Sequence, residues 1–261
     1  MLITLKKCKP IILIDSSYYV FYRYFATYKW YTMQKKEFDE KTFNESFIKH
    51  MSSDIKKLTK KWKTDINNIV FCCDCPRSKI WRNDIYKGYK ITRQQNPNFN
   101  QNIFNVFKNN IESNNYNIIN IDRLEADDII YLMHCKIKTE HNNIIVITND
   151  NDYLQLLCDG TSIINMQFKN INVRTNCTDG KSNLYYKSLI GDKSDNIPKI
   201  SSLVNKEVAS KLCENYEDLV DWLNKNNIYD KFMFNLKLIS FEYIPDEYVN
   251  IFNKTYKIDV N

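Results

Sequence analysis

The sequence predicts an α/β protein: a doubly wound, mostly parallel sheet followed by a C-terminal helical, helix–turn–helix-like region. Three apolar runs, IILID (11–15), NIVFCCD (68–74) and NIIVITND (143–150), are too short for ordinary helices. Each is continuous rather than alternating, as expected of strands buried on both faces. Longer stretches with helical spacing lie between them, so strand and helix alternate, which favours parallel crossovers. Every one of the three runs ends in an aspartate: Asp15, Asp74 or Asp150.

In order, the first strand is expected over 11–15, with a helix following through SSYYVFYRYFATYKWY. Over 43–62, Phe43, Phe47, Ile48, Met51, Ile55, Leu58 and Trp62 recur at helical spacing. A second strand covers about 68–73. The next segment, PRSKIWRNDIYKGYKITRQQNPNFN, is basic, aromatic and weakly periodic. Helical spacing resumes near Asn102–Glu112, and a short strand follows at 117–121. Leu124 to Lys138 reads as an amphipathic helix whose opening acids suit a helix N-terminus. A strand at 144–148 leads through Asp150, Asp152 and Gln155 into a short helix, and 160–175 alternates like a strand or hairpin. From about 186 the chain turns helical, most clearly in SSLVNKEVASKLCENYEDLVDWLNK. The expected organisation is therefore an α/β core over 1–185 and a helical region over 186–261.

Composition narrows the function. A chain of 261 residues fits one large domain or one domain with an appendage. With 43% hydrophobic and 14% aromatic residues it can build a sizeable core. Mean hydropathy is −0.51, and no apolar stretch approaches a membrane span. The start is no convincing signal peptide, because its longest apolar run, IILI, stops at Asp15. A soluble, intracellular protein with no membrane partner is expected. The eight cysteines then read as reduced structural thiols, and Cys72-x-x-Cys75 lacks the second pair that a zinc site needs. Only four glycines occur, so neither GxGxxG nor a P-loop can be written. The three histidines show no zincin spacing. Metal chemistry here would use oxygen ligands, favouring Mg²⁺ or Mn²⁺ over Zn²⁺.

Nine carboxylates fall in five clusters: Asp15; Asp74; Glu125, Asp127 and Asp128; Asp150 and Asp152; Asp192 and Asp195. In an open α/β sheet, functional groups gather beyond the carboxyl ends of the strands. Carboxylates packed together repel unless cations neutralise them, so the bare reading is a multi-carboxylate divalent-metal site. Glu125 and Asp128, three apart, share a helical face, and Asp127 points to the neighbouring sector. The net charge is +6. With nine acids gathered in one site, the remaining surface is more basic still, which suits a polyanionic substrate.

These residues lie within motifs that resemble the metal-dependent 5′-nucleases. That family includes flap endonucleases, the 5′-exonuclease domains of bacterial DNA polymerases, and the ribonuclease H of T-even phages. The motifs are IDSSYYVFYR (14–23), FCCDCPRSKIWR (71–82), YKGYKITR (86–93), LEADDII (124–130), ITNDNDYLQLL (147–157) and GDKSDNIP (191–198). NLKLISFEYIPDEY (235–248) resembles the end of the T-even enzyme. The resemblance implies a PIN-like nuclease core and two Mg²⁺ ions, with Mn²⁺ able to substitute. One ion would be held mainly by Asp15, Asp74, Glu125, Asp127 and Asp150. The other would use Asp152, Asp192 and Asp195, with Asp128 and Asp150 nearby.

The resemblance also implies roles for basic residues. Lys90 matches the active-site lysine and Arg93 the arginine beside it, both acting with Asp150 in catalysis. Lys87, Lys90 and Arg93 fall in a basic arch at about 82–112 through which a 5′ strand would pass. Tyr86, Tyr89 and Phe99 are there either to stack bases or to pack the arch. Arg82 and Arg23 are either substrate contacts or internal partners of the acids. One departure is visible: no glycine follows GDKSDNIP for a tight helix–turn–helix hairpin. Lys199, Lys206 and Lys211 are therefore expected to hold the duplex by charge.

The implied substrates are branched or nicked DNA and RNA–DNA hybrids, cut to leave 5′-phosphates during replication or repair. A monomer is expected, with a sliding clamp or single-strand-binding protein as candidate partners. The alternatives are a PIN-like single-strand ribonuclease and a nucleic-acid binding module without catalysis.

Overall fold

The computed structural model describes residues 1–34, 38–94, 96–172 and 179–261. After a short strand β1 (Leu2–Leu5), five strands form a parallel sheet: β2 (Ile11–Asp15), β3 (Ile69–Cys73), β4 (Asn117–Asn120), β5 (Ile144–Ile147) and β6 (Thr161–Ile164). Their order is β4-β3-β2-β5-β6. The chain steps outward from β2 to β3 and β4, then returns to pair β5 with the free side of β2. Ile12 faces Ile69 on one side, and Ile11 faces Ile144 on the other. That reversal makes the crevice beyond the carboxyl ends of β2 and β5 the topological switch point, where ligands of such sheets bind.

Alternate strand residues point to opposite faces, and both faces are covered. The helices α1 (Ser16–Met33), α2 (Glu40–Trp62), the single turn α3 (Arg82–Ile85), α4 (Ile103–Ser113) and α5 (Ala126–Lys138) fill the crossovers. Ile12, Ile14, Phe71 and Ile147 pack with Val20, Phe47, Met51 and Phe107 on the face covered by α1, α2 and α4. Leu13, Val70, Ile119 and Val146 pack with Ile129, Met133 and Ile137 of α5 on the other. Burying each such side chain contributes about 1.5–3 kcal/mol, which explains why β2, β3 and β5 at the centre of the sheet are apolar up to their ends.

Helices α6 (Gly180–Ile190), α7 (Lys206–Leu212), α8 (Tyr216–Lys225) and α9 (Tyr229–Ile239) build a separate apolar cluster around Leu189, Val204, Leu219, Leu223 and Phe232. The expected boundary near 186 falls inside α6. The long helical stretch at 201–225 is two helices, because the Asn215 side chain accepts the backbone N–H of Glu217 at 2.8 Å and caps α8. The chain then returns to the sheet. Phe252 of α10 (Asp246–Thr255) and Tyr256 join the Leu13 cluster. The last strand, β7 (Lys257–Val260), pairs in parallel with β1, Leu5 opposite Val260. Of the alternating stretch 160–175, β6 and a bridge between Ile164 and Asn170 are seen, and 173–178 lie outside the described residues. Among the described residues, no helix is long and apolar enough to cross a membrane, and the seven described cysteines are free thiols.

Candidate metal centre

Asp15 closes β2 and caps α1, its Oδ1 accepting the Tyr18 N–H at 3.0 Å. Its Oδ2 accepts hydroxyl hydrogen bonds from Thr148 (3.2 Å) and Tyr153 (3.1 Å). Asp74 follows β3; its Oδ1 accepts the Ala126 N–H at 2.8 Å and its Oδ2 the Ser17 hydroxyl. Strand ends and helix starts thus converge, and the free N–H groups of the first helical turns orient the carboxylates. Asp150 follows β5 and opens the 3-10 turn Asn151–Leu156, accepting the Asp152 N–H at 2.9 Å. Glu125 caps α5 in a capping box with Asp128, and Asp127 stands in its first turn. Asp15, Asp74, Glu125, Asp127, Asp150 and Asp192 all line one cleft of about 830 Å³.

The electrostatics of this cleft are uneven. Burial pushes the Asp15 carboxyl up to about 7, with the charges of Asp74 and Asp150 adding to it. Burial and Glu125 raise Asp74 as well. Asp127 lies well above the usual carboxylate range through burial, Glu125 and Asp128. Glu125 goes the other way: burial alone would raise it, but Lys90 and Arg82 beside it hold it below its ordinary value. Asp152 is raised to about 6 by burial and by Asp150, against the pull of Lys187. Asp192 is lowered to about 2, because Lys187 and Ser194 outweigh its burial. Carboxylates held this high by burial and mutual repulsion lack positive charge, and a set of oxygen donors alone suits a hard divalent cation. Glu125, Asp127 and Asp128 each offer an oxygen within 4.8 Å of the others, and so do Asp152, Asp192 and Asp195.

Several residues sit elsewhere than their motifs imply. Arg82 is 1% exposed. Its guanidinium forks onto Asp128 (2.7 and 2.9 Å), touches Glu125 at 3.0 Å, and donates through Nε to Leu238 O at 2.8 Å. Of the two roles expected of Arg82, so enclosed a position fits that of internal partner and corrects that of nucleic-acid contact. Arg23 pairs with buried Asp54 of α2, which also accepts from the Tyr19 hydroxyl. It serves the α1–α2 packing and not the cleft. Asp128 is 0% exposed. Besides Arg82 it accepts from Trp81 Nε1 at 2.9 Å and the Glu125 N–H at 3.1 Å. These bonds make Asp128 a positioning residue for Arg82 and Glu125.

Lys90 and Arg93 do line the cleft. Lys90 pairs with Glu125 and stands 3.6 Å from Asp195, which Arg93 also holds. Burial works against the charge of Lys90, but Glu125 and Asp195 raise its pKa well above the ordinary lysine value. The turn bearing Lys90 is fastened to the GDKSDNIP loop. Lys90 N–H donates to Asp195 O at 2.9 Å, and Asn196 Nδ2 donates to Gly88 O at 2.8 Å. The segment expected as a basic arch is therefore packed against the body at this end. Tyr89 donates to Glu125, and Phe99 stacks on Phe21 with centroids 4.2 Å apart; both are buried and packed. Lys206 reaches the cleft, whereas Lys87 is exposed outside it and Lys199 borders a separate small pocket.

Sequence reasoning missed Lys187, in the last turn of α6, whose ammonium contacts Asp152 and lies 2.7 Å from Asp192. A lysine on an amphipathic helix gives no sign that it points inward. It also missed the neutral donors Ser17, Thr148 and Tyr153, each of which lies two or fewer residues from a predicted ligand.

A carboxylate-lined cleft at the switch point of a parallel sheet, with a lysine and an arginine on its wall, defines a metal-dependent enzyme of phosphate-ester chemistry. The chain belongs to the 5′-3′ exonuclease family, whose N-terminal resolvase-like domain matches residues 10–181, and it is a nuclease of that metal-dependent class. It is 28% identical over 204 residues to a 5′-3′ exonuclease of Buchnera aphidicola (Schizaphis graminum), covering 76% of this chain and 67% of that one. To ribonuclease H of Enterobacteria phage T4 it is 26% identical over 258 residues, covering 84% and 81%. The fold is that of the phage T5 flap endonuclease, solved as a pseudo-enzyme–product complex with DNA and metal ions. The TM-score is 0.71 at 18% identity, over 94% of this chain and 97% of that one. The T5 protein co-crystallised with metal ions matches with a TM-score of 0.70.

Proposed function

We propose that the protein is a Mg²⁺-dependent 5′→3′ exonuclease and flap endonuclease with ribonuclease H-type activity, acting near the 5′ ends of branched, nicked or RNA–DNA duplexes in replication or repair. One observation carries the reading: carboxylates from five separate segments face one cleft whose wall also carries Lys90 and Arg93. A phosphatase with a carboxylate-rich site would not account for the basic segment bearing Lys87, Lys90 and Arg93 or for the C-terminal helices.

Asp15, Asp74, Glu125, Asp127 and Asp150 would hold one ion, and Asp152, Asp192 and Asp195 the other. Two bound Mg²⁺ ions would polarise the scissile phosphate, activate water and stabilise the leaving oxygen, giving a 5′-phosphate product. The chain's own contribution is positioning. Lys90 and Arg93, now paired with Glu125 and Asp195, are within the cleft and can donate to phosphate oxygens as the acids take up cations. Asp150 is exposed at the mouth, where it can orient the attacking water. Lys206 adds charge at the rim, and Lys87 and Lys199 add it outside, which supports backbone contacts without base readout.

The test is cleavage of three 5′-labelled substrates in Mg²⁺: a DNA flap, a nicked RNA–DNA hybrid and single-stranded RNA, beside Asp150→Ala and chelator controls. Cutting of the first two, lost in both controls, is expected. Cutting of single-stranded RNA alone would replace the proposal with a PIN-type ribonuclease, and binding without cleavage would replace it with a binding module.

A further inference from the structure

The two halves of the cleft differ in how their charge is balanced. Asp15 and Asp74 receive hydrogen bonds from neutral donors: Tyr18 N–H, Thr148 and Tyr153 for the first, Ala126 N–H and Ser17 for the second. Asp152 and Asp192 instead share a cation of the chain itself. The Lys187 ammonium contacts Asp152 Oδ1 and lies 2.7 Å from Asp192 Oδ2, with the side chain only 19% exposed. The oxygens of Asp152, Asp192 and Asp195 are within 4.8 Å of one another, close enough to meet one divalent ion. The ammonium bridges two of the three.

We propose that Lys187 is an intramolecular counter-ion that occupies the second cation position and competes with the second divalent ion for Asp152 and Asp192. The inference rests on the two-ion reading of the cleft. An ammonium and a divalent ion cannot both hold the same pair of oxygens, because each is positive and each needs to lie within bonding distance of both. The second ion binds only as Lys187 withdraws, and its affinity is reduced by the free energy of breaking those pairs. At the first position Lys90 and Arg82 pair only with Glu125, and among the described residues no ammonium bridges Asp15 and Asp74, so that position fills first. Lys187 has somewhere to go: its side chain lines the open cleft.

The experiment is calorimetric titration of the full chain with Mn²⁺, without nucleic acid, comparing the native protein with Lys187→Met and Lys187→Arg. Circular dichroism confirms folding, and Lys187→Gln replaces the Met variant if that fails to fold. Two binding steps are expected for the native chain, the second weaker. Lys187→Met should strengthen the second step about tenfold or more while leaving the first unchanged, as expected for removing a partly buried competing charge. Lys187→Arg should stay near the native value. In chelator the Met variant should melt below the native chain, and saturating Mn²⁺ should restore it. Two steps in both proteins with an unchanged or weaker second step in Lys187→Met would overturn the inference alone. Failure of the native chain to bind two ions would overturn the inference together with the two-ion reading.

Discussion

Replacing Asp15 with asparagine should stabilise the metal-free protein. Burial, with Asp74 and Asp150 nearby, raises the Asp15 carboxyl from 3.8 to about 7. Between those values the native state keeps a proton that the unfolded chain has lost. The unfolded state therefore binds fewer protons, and stability falls as pH rises through this window. A shift of about three pH units, at about 1.4 kcal/mol each, costs about 4 kcal/mol once the pH exceeds 7. Because Asp74 is raised by the same crowding, about 2 kcal/mol is the lower figure. Asparagine removes the charge and keeps the cap, since its Oδ1 can still accept the Tyr18 N–H. Urea denaturation in chelator near pH 8 should show Asp15→Asn more stable by about 2–4 kcal/mol, with less than half of that gain near pH 5. Saturating Mg²⁺ should reverse the ranking, because only the native carboxylate serves as a full ligand and binding stabilises the folded state. An Asp15→Asn protein that is less stable than the native chain in chelator near pH 8, or whose gain does not shrink towards pH 5, would refute the reasoning.

Arg82→Ala should lower stability by about 3–5 kcal/mol in chemical denaturation, because it leaves Asp128 buried without its charge partner; a loss confined to nucleic-acid affinity would contradict the burial. Gly191→Ala should cost about 1–3 kcal/mol, since Gly191 sits at φ +79° and an added Cβ would lie 2.5 Å from Ile197 O. The same variant should weaken Mn²⁺ binding, read by calorimetry, because Gly191 sets the position of Asp192. Metal affinity itself should rise with pH through the window of Asp15 (about 7) and Asp152 (about 6) and then level off. Titrations near pH 6.5 in buffers of different ionisation enthalpy should therefore report about one proton or more released per chain, and release of none would contradict the raised carboxyls.

The strands and the acids at their ends were legible because they are local. An apolar run buried on both faces must stop where the sheet meets solvent, and Asp15, Asp74 and Asp150 mark those stops. Contacts that close over long separations were not legible. The β1–β7 pair joins residues at opposite ends of the chain, and Arg82 Nε finds its acceptor at Leu238. The α5 acids show how far spacing alone reaches. Glu125 and Asp128 do share a face, but that face meets Arg82, which ties Asp128 into the core while Asp127 is left facing the cleft. Charge type was ambiguous. Arg23 and Arg82 read equally as substrate contacts or as internal partners of acids, Lys187 gave no signal, and all three turn inward to carboxylates. The sequence records that a cation is present but not which way a long flexible side chain points.

Those inward cations offset part of the charge that so many acids bring to one cleft. Arg82 and Lys90 offset Glu125, Lys90 and Arg93 offset Asp195, and Lys187 offsets Asp152 and Asp192. Asp15, Asp74 and Asp127 form no such ion pair among the described residues, and burial and mutual repulsion raise the proton affinity of all three. The uncompensated charge is thus concentrated at the ends of β2 and β3 and the start of α5, each fixed by backbone hydrogen bonds or a helix cap. Strain held on rigid elements cannot relax by side-chain movement, so it is relieved by a proton at low pH or by a divalent ion at higher pH. Had the chain placed its arginines and lysines evenly over all nine acids, the metal-free protein would be more stable and its affinity for divalent ions correspondingly weaker.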